Sequence, residues 1–139
     1  MTDRRSCFKS DYTFGIQSEE RVLPVLEKTF NETFEKTTKY HPLDFKGRGS
    51  WVEVKTRTFA VNKYETTMLP TSKIEFAKKC ENSVYFVFVF TDGIYYILYD
   101  SEVFKGFETK VFQRTARTDH YDSAQLYTYI PTRLLTKIQ

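Results

Sequence analysis

The stretch SVYFVFVFTDGIYYILYD, residues 83–100, constrains this chain more than any other. Its run VYFVFVF is continuously apolar, yet far shorter than the roughly 20 residues a membrane-spanning helix needs. A run of that length, rich in Val and Phe, reads as a strand covered on both faces and therefore central in a sheet. The Asp92-Gly93 pair between two such runs is a strong hairpin signal. The rest of the chain has to supply the layers that cover this sheet.

Those layers can be read on either side. A helix runs through SEERVLPVLEKTFNETF, residues 18–34, with Ser18 as N-cap and acids in the first turn. Glu19, Val22, Leu23, Leu26 and Phe30 share one of its faces. Pro24 lacks an N–H, so it should kink the helix or delay its start. TFEKTTKYHPLDF and the alternating SWVEVKTRTFAV flank the turn KGRG, so 33–61 reads as two or three antiparallel strands. LPTSKIEFAKKC carries a capping box from Ser72 to Glu75 that opens a second helix. SAQLYTYIPTRLL returns to the sheet as a short strand or helix, and KVFQRTARTDHYDS is a loop or an edge strand. Residues 1–13 read as a loose polar arm. The expectation is a single domain over 1–139, of α+β or α/β class, with three layers around one mixed sheet. Thirteen Phe and ten Tyr in 139 residues suit such a sheet-rich core.

The net charge of +3 is compatible with a polyanionic partner without requiring one. Cys7 and Cys80 form no CxxC pair, and MTDRRSCFKSDYTF has no signal-peptide pattern. Free thiols in a reducing, intracellular compartment follow, with no membrane partner.

An acid, any residue, then Lys occurs three times: Asp44-Phe45-Lys46, Glu53-Val54-Lys55 and Glu108-Thr109-Lys110. Context ranks them. On a strand, residues two apart share a face, so Glu53 and Lys55 project side by side with Trp51, while Val52 and Val54 turn into a core. Asp44 lies across the Gly47–Gly49 turn, and a hairpin there returns it beside Glu53. Two carboxylates and a backbone carbonyl suit a hard divalent cation such as Mg²⁺ or Mn²⁺. Glu19, acidic on the apolar helix face, is a third carboxylate within reach of the same point. Lys55 would orient a water or stabilise charge developing on a phosphate. The plainer reading of Glu53 and Lys55 is a solvated charge pair. That of Glu19, next to Glu20, is a helix acid favoured by the macrodipole. Asp100, Glu108 and Lys110 mimic the spacing without the apolar alternation, and His120 between Asp119 and Asp122 reads as a surface histidine.

The order of a helix Glu, then Asp, then Glu-x-Lys on adjacent strands resembles the PD-(D/E)xK nuclease superfamily. That group includes restriction endonucleases, Holliday junction resolvases and phage or viral nucleases. FGIQSEERVLPVLEKTF is similar to the Gly-x-x-x-Glu opening seen in such enzymes, and the likeness runs from about Phe14 to Asp100. It implies a restriction-endonuclease-like αβββαβ core. It also implies Asp44, Glu53 and Lys55 as the catalytic trio, Glu19 as the helix acid, and the Val54 carbonyl as a further ligand to Mg²⁺, with Mn²⁺ as substitute and no organic cofactor. The pattern departs from the family at Pro42-Leu43-Asp44, where one residue separates the usual Pro-Asp pair. DNA is the implied partner, RNA stays open, and a symmetric dimer acting on junctions is one form. Lys46, Arg48, Arg57 and Lys63 gather around Glu53, the only acid between 46 and 63, as phosphate-binding candidates. Lys73, at the start of the second helix, joins them as a DNA contact or a support for the site. A nuclease-fold module that binds nucleic acid or protein without cutting is the other reading left open.

Overall fold

The computed structural model describes residues 19–112 and 125–139. The arm at 1–13, the Ser18 cap, Cys7 and the group of Asp119, His120 and Asp122 lie outside the described residues. Helix α1, over 19–30, leads into β1 (Glu35–Lys36), β2 (Phe45–Lys46) and β3 (Ser50–Thr56). Then come β4 (Thr66–Pro70), α2 (Thr71–Lys79), β5 (Ser83–Phe90), β6 (Gly93–Leu98) and the short α3 (Ser101–Phe104). The last elements are β7 (Thr109–Phe112), β8 (Gln125–Pro131), a 3₁₀ turn (Thr132–Leu134) and β9 (Thr136–Lys137). A six-stranded sheet has the order β1-β2-β3-β5-β6-β9, and a three-stranded sheet the order β4-β8-β7. Among the described strands only the β3–β5 pairing is parallel. The architecture is α+β with a mixed main sheet, as expected from the sequence.

β5 sits inside that sheet and is covered on both faces. Val84, Phe86, Phe88 and Phe90 pack with Ile74 and Ala77 of α2, Leu69 of β4 and Ile130 of β8. Val87 points the other way, onto Val22 and Leu26 of α1 and onto Val52 and Val54 of β3. The alternation of period two along β5 therefore separates two cores, one on each side of the sheet. No helix among the described residues is long and apolar enough to cross a membrane.

The structure differs from expectation at several boundaries, each for a local reason. α1 passes through Pro24 without delay and ends at Phe30 instead of Phe34. Asn31 adopts a left-handed φ of 51°, and the Glu32 N–H returns to the Glu27 carbonyl at 3.1 Å, a Schellman closure with Asn in the place of Gly. The Ser72–Glu75 capping box does not form. β4 stays paired to β8 through Pro70, and α2 starts directly after it with no side-chain cap, which leaves Ser72 inside the helix. Glu75 pairs instead with Lys78 at 3.0 Å.

β3 stops at Thr56, although the apolar alternation continues; Phe59 and Val61 reach the core from a loop. The hairpin turn is Thr91-Asp92, because Phe90 pairs with Gly93. A Cβ at Gly93 would lie 2.7 Å from the Gln139 carbonyl oxygen, so the close passage of the chain beside β9 requires glycine there. The strand in SAQLYTYIPTRLL joins the second sheet and not the main one, and β4 has no counterpart among the elements expected from the sequence.

Candidate active site

The hairpin from β2 to β3 places the acids. Its pairing runs Lys46 to Trp51 and Phe45 to Val52, and the Asp44 N–H donates to the Val52 carbonyl at 3.0 Å. That bond falls one residue out of the strand register, a bulge in which Asp44 and Phe45 both face Val52, and it leaves the Asp44 carboxyl within hydrogen-bonding reach of Glu53. The turn that fixes this register is tight. The Gly49 N–H donates to Glu32 Oε1 at 2.6 Å, and a Cβ at Gly47 would lie 2.3 Å from that same oxygen and 2.9 Å from Phe34. The approach to Asp44 is pinned as well. Thr37 donates from its N–H and its hydroxyl to the Asp44 carbonyl at 2.9 and 3.0 Å, and the Leu43 N–H donates to His41 Nδ1 at 3.0 Å.

Asp44 Oδ2 accepts the Val54 N–H at 2.7 Å, so the side chain takes over where the backbone pairing of β2 ends. In a strand the N–H and C=O of one residue point to the same edge, so the Val54 carbonyl opens on the side of Asp44. Glu53 is only 2% exposed, which rules out the solvated charge pair. Its neighbour across the parallel pairing is Phe86, itself fully buried. Lys73 Nζ, from the first turn of α2, lies 3.0 Å from Glu53 Oε2, and Lys55 Nζ lies 3.9 Å from it. Lys73 also donates to the Pro42 carbonyl. Glu53 Oε2 receives no directed hydrogen bond among the described residues, however: the ammonium is close enough for charge pairing but lies off the hydrogen-bonding direction. An oxygen buried in this way keeps acceptor capacity for a further ligand.

The electrostatics follow from this crowding. Burial pushes the Glu53 carboxyl up to about 8, helped by a hydrogen bond with the Asp44 carboxyl and by its charge; Lys55 and Lys73 pull the other way without prevailing. Glu19, on the first described turn of α1, is raised by burial and by the Asp44 charge, while Lys36 and Lys55 lower it. It pairs with Lys36 at 3.5 Å. Glu19, Asp44, Glu53, Lys55 and Lys73 thus act on one another from four parts of the chain. Among the described residues no three His, Cys, Asp or Glu side chains close on a common point. The donors that do meet are Asp44, Glu53 and the Val54 edge. This is a set that fits Mg²⁺, which is held by one or two carboxylates and otherwise keeps waters or substrate oxygens.

The other basic candidates make their own local contacts or are exposed. Lys46 lies over the Trp51 ring at 5.2 Å, Arg48 is exposed in the turn between β2 and β3, and Lys63 is exposed in the loop after β3. Arg57 is a brace: its Nε donates to Thr67 Oγ1 at 3.2 Å, another nitrogen to the Met68 carbonyl, and its guanidinium lies 5.6 Å from the Phe88 ring centre. Arg57→Ala should therefore cost about 1–3 kcal/mol in a denaturant titration, by leaving partners in β4 unpaired, and Arg57→Lys should recover little of it. The mimic Glu108–Lys110 is an exposed pair at 3.1 Å, and Asp100 caps α3 by accepting from Glu102 and Val103.

Sequence reasoning missed a groove of about 490 Å³ beside Lys55, between the loop after β3 and the outer face of the second sheet. Its signal was the Tyr-Thr-Tyr alternation at 127–129, which sets two tyrosines on the face opposite buried Thr128 and Ile130. In comparisons with family models, curated proteins and solved structures nothing matches this chain.

Proposed function

We propose that the chain is a metal-dependent nuclease of PD-(D/E)xK type that hydrolyses phosphodiester bonds in nucleic acid, with DNA as the substrate. The observation that carries this reading is the pairing of half-buried Asp44 with buried Glu53 across a glycine-fixed turn, with Lys55 on the same face as Glu53. The order α1, β1, β2, β3, then α2 and β5, supports a restriction-endonuclease-like core, with β4 inserted before α2.

Asp44, Glu53 and the Val54 carbonyl would hold Mg²⁺ or Mn²⁺, with Glu19 behind them. When bound, the cation supplies Lewis-acid polarisation of the phosphodiester and a water of lowered pKa. Lys55, half-buried at the rim, orients the attacking water and offsets charge developing on phosphorus. Lys73 holds the Glu53 carboxylate in place and ties α2 to the loop that carries Asp44. With no recognition domain among the described residues, selectivity would come from substrate shape or from a symmetric dimer, as in a junction resolvase.

The test is nicking of supercoiled plasmid in Mg²⁺ or Mn²⁺. Lys55→Ala should slow it by about 10²–10³-fold, with unchanged circular dichroism. A wild-type protein inert with both cations on linear, branched and single-stranded DNA would favour the non-cutting binding module.

A further inference from the structure

We propose that the groove beside Lys55 receives an unpaired nucleobase of the bound strand, next to a phosphate that meets Lys55 at the edge of the carboxylate cluster. The inference rests on the nuclease reading only for where the strand lies. Its walls come from three places: Lys55, Arg57 and Phe59 at and beyond the end of β3, Tyr64 in the following loop, and Phe112, Tyr127 and Tyr129 on one face of the second sheet. That face is set by pairing. Met68 opposes Tyr129 and Pro70 opposes Tyr127, while the alternate residues Leu69, Thr128 and Ile130 turn inward to the core. A sheet face that turns its aliphatic side inward and keeps tyrosines outward, in a concave wall, offers flat rings with hydroxyl tips.

The rings also stand at angles to one another. Phe59 and Tyr64 meet edge to face at 5.0 Å, and Phe112 and Tyr127 at 6.0 Å, so each contact takes up one face of one ring only. Lys110, paired with Glu108 at 3.1 Å, lies 5.6 Å from the centre of the Tyr129 ring at the margin. Among the described residues the lining includes two cations, Lys55 and Arg57, and no carboxylate.

Size and charge select the occupant. The volume lies in the range of small-ligand sites, about 300–1,000 Å³, and is too small for a helix or a folded segment. A base with its sugar fits that space, and the adjoining phosphate meets Lys55, which belongs to both the groove and the carboxylate cluster. In a duplex the ring faces are stacked and out of reach, so the base that enters is unpaired or extruded. Stacking on aromatic side chains is tolerant of sequence, which predicts a preference for strand state over base identity.

The experiment is fluorescence anisotropy with an oligothymidylate and with a blunt duplex, in EDTA so that nothing is cut. Tyr64 is 55% exposed, so Tyr64→Ala spares the core; Tyr127→Ala is the second variant. Each should weaken binding of the single strand about tenfold or more while leaving the duplex nearly unchanged, and Tyr64→Phe should bind like the wild type. Ultraviolet cross-linking of a 5-iodouracil oligonucleotide should attach to groove residues. Unchanged single-strand binding in both alanine variants, or tighter binding of the duplex by the wild type, would overturn the proposal. The two readings fail separately. A protein that binds single strands through the tyrosines but cuts nothing sinks the nuclease and keeps the groove; cutting and binding that ignore both tyrosines do the reverse.

Discussion

Glu53→Gln should abolish metal-dependent cleavage, by about 10³-fold or more, and at the same time make the protein more stable relative to wild type as the pH rises. The first effect follows from losing the anionic oxygen best placed to share a cation with Asp44. The second follows from burial. In the unfolded chain the carboxyl titrates near 4.5, and in the fold it is pushed up to about 8. Between those values folding must take up a proton, so wild-type stability falls as pH rises from about 4.5 to about 8 and then levels off. Gln cannot ionise and lacks this slope. A tenfold change in proton affinity between the folded and unfolded chain is worth about 1.4 kcal/mol, so the difference between variant and wild type should grow by a few kcal/mol across the window. Thermal unfolding in EDTA at about pH 5 and about pH 8.5, near the two ends of that window, checks it. Parallel loss of stability in both proteins would mean that Glu53 is not buried against Asp44. The Lys73 partnership is already contained in that slope, since its charge lowers the folded Glu53 value that burial raises to about 8.

Phe86→Ala carries the largest expected cost to the fold. The ring is fully buried in β5, lies 5.8 Å from the Phe104 ring and sits beside Glu53 in the parallel pairing. Truncation removes the transfer energy of the ring and leaves a cavity between β5, α2 and α3, costing about 3–5 kcal/mol. For a chain of this length the unfolding midpoint should drop by roughly 10 °C or more. Water entering the cavity would also relieve the burial that raises Glu53, so the pH slope should flatten in the same variant. Calorimetry across pH reads both effects. A midpoint within about 2 °C of wild type would contradict the packing of β5.

The carboxylate hairpin was legible in the sequence because a turn fixes a register. Once Gly47 and Gly49 bend the chain, Asp44 returns beside Glu53, and alternation puts Lys55 on the face of Glu53. The apolar run of β5 was legible because a strand with no polar side must be covered twice. The Lys73 contact was only half visible. Its place near the start of a helix could be read, but its reach to Glu53 depends on α2 beginning directly after a strand, a junction the capping-box signal misplaced by two residues.

The second sheet was not legible. β4 is five residues ending in Pro, and its partner β8 lies about sixty residues further on, so no local signal links them. The groove inherits that difficulty, since its walls exist only once β4, β8 and β7 have paired. Arg57 shows the converse. Among the basic residues around Glu53 it reads as a phosphate contact, and the long-range pairing that creates β4 turns it into a brace.

The most direct measurement is a titration of Mn²⁺ into the wild type, Asp44→Asn and Lys63→Ala, followed by the loss of the free-ion electron paramagnetic resonance signal. A saturable cation site is expected on the wild type, persisting in Lys63→Ala and disappearing in Asp44→Asn. Equal binding by Asp44→Asn and wild type, or no saturable binding by the wild type, would contradict a cation site shared by Asp44 and Glu53.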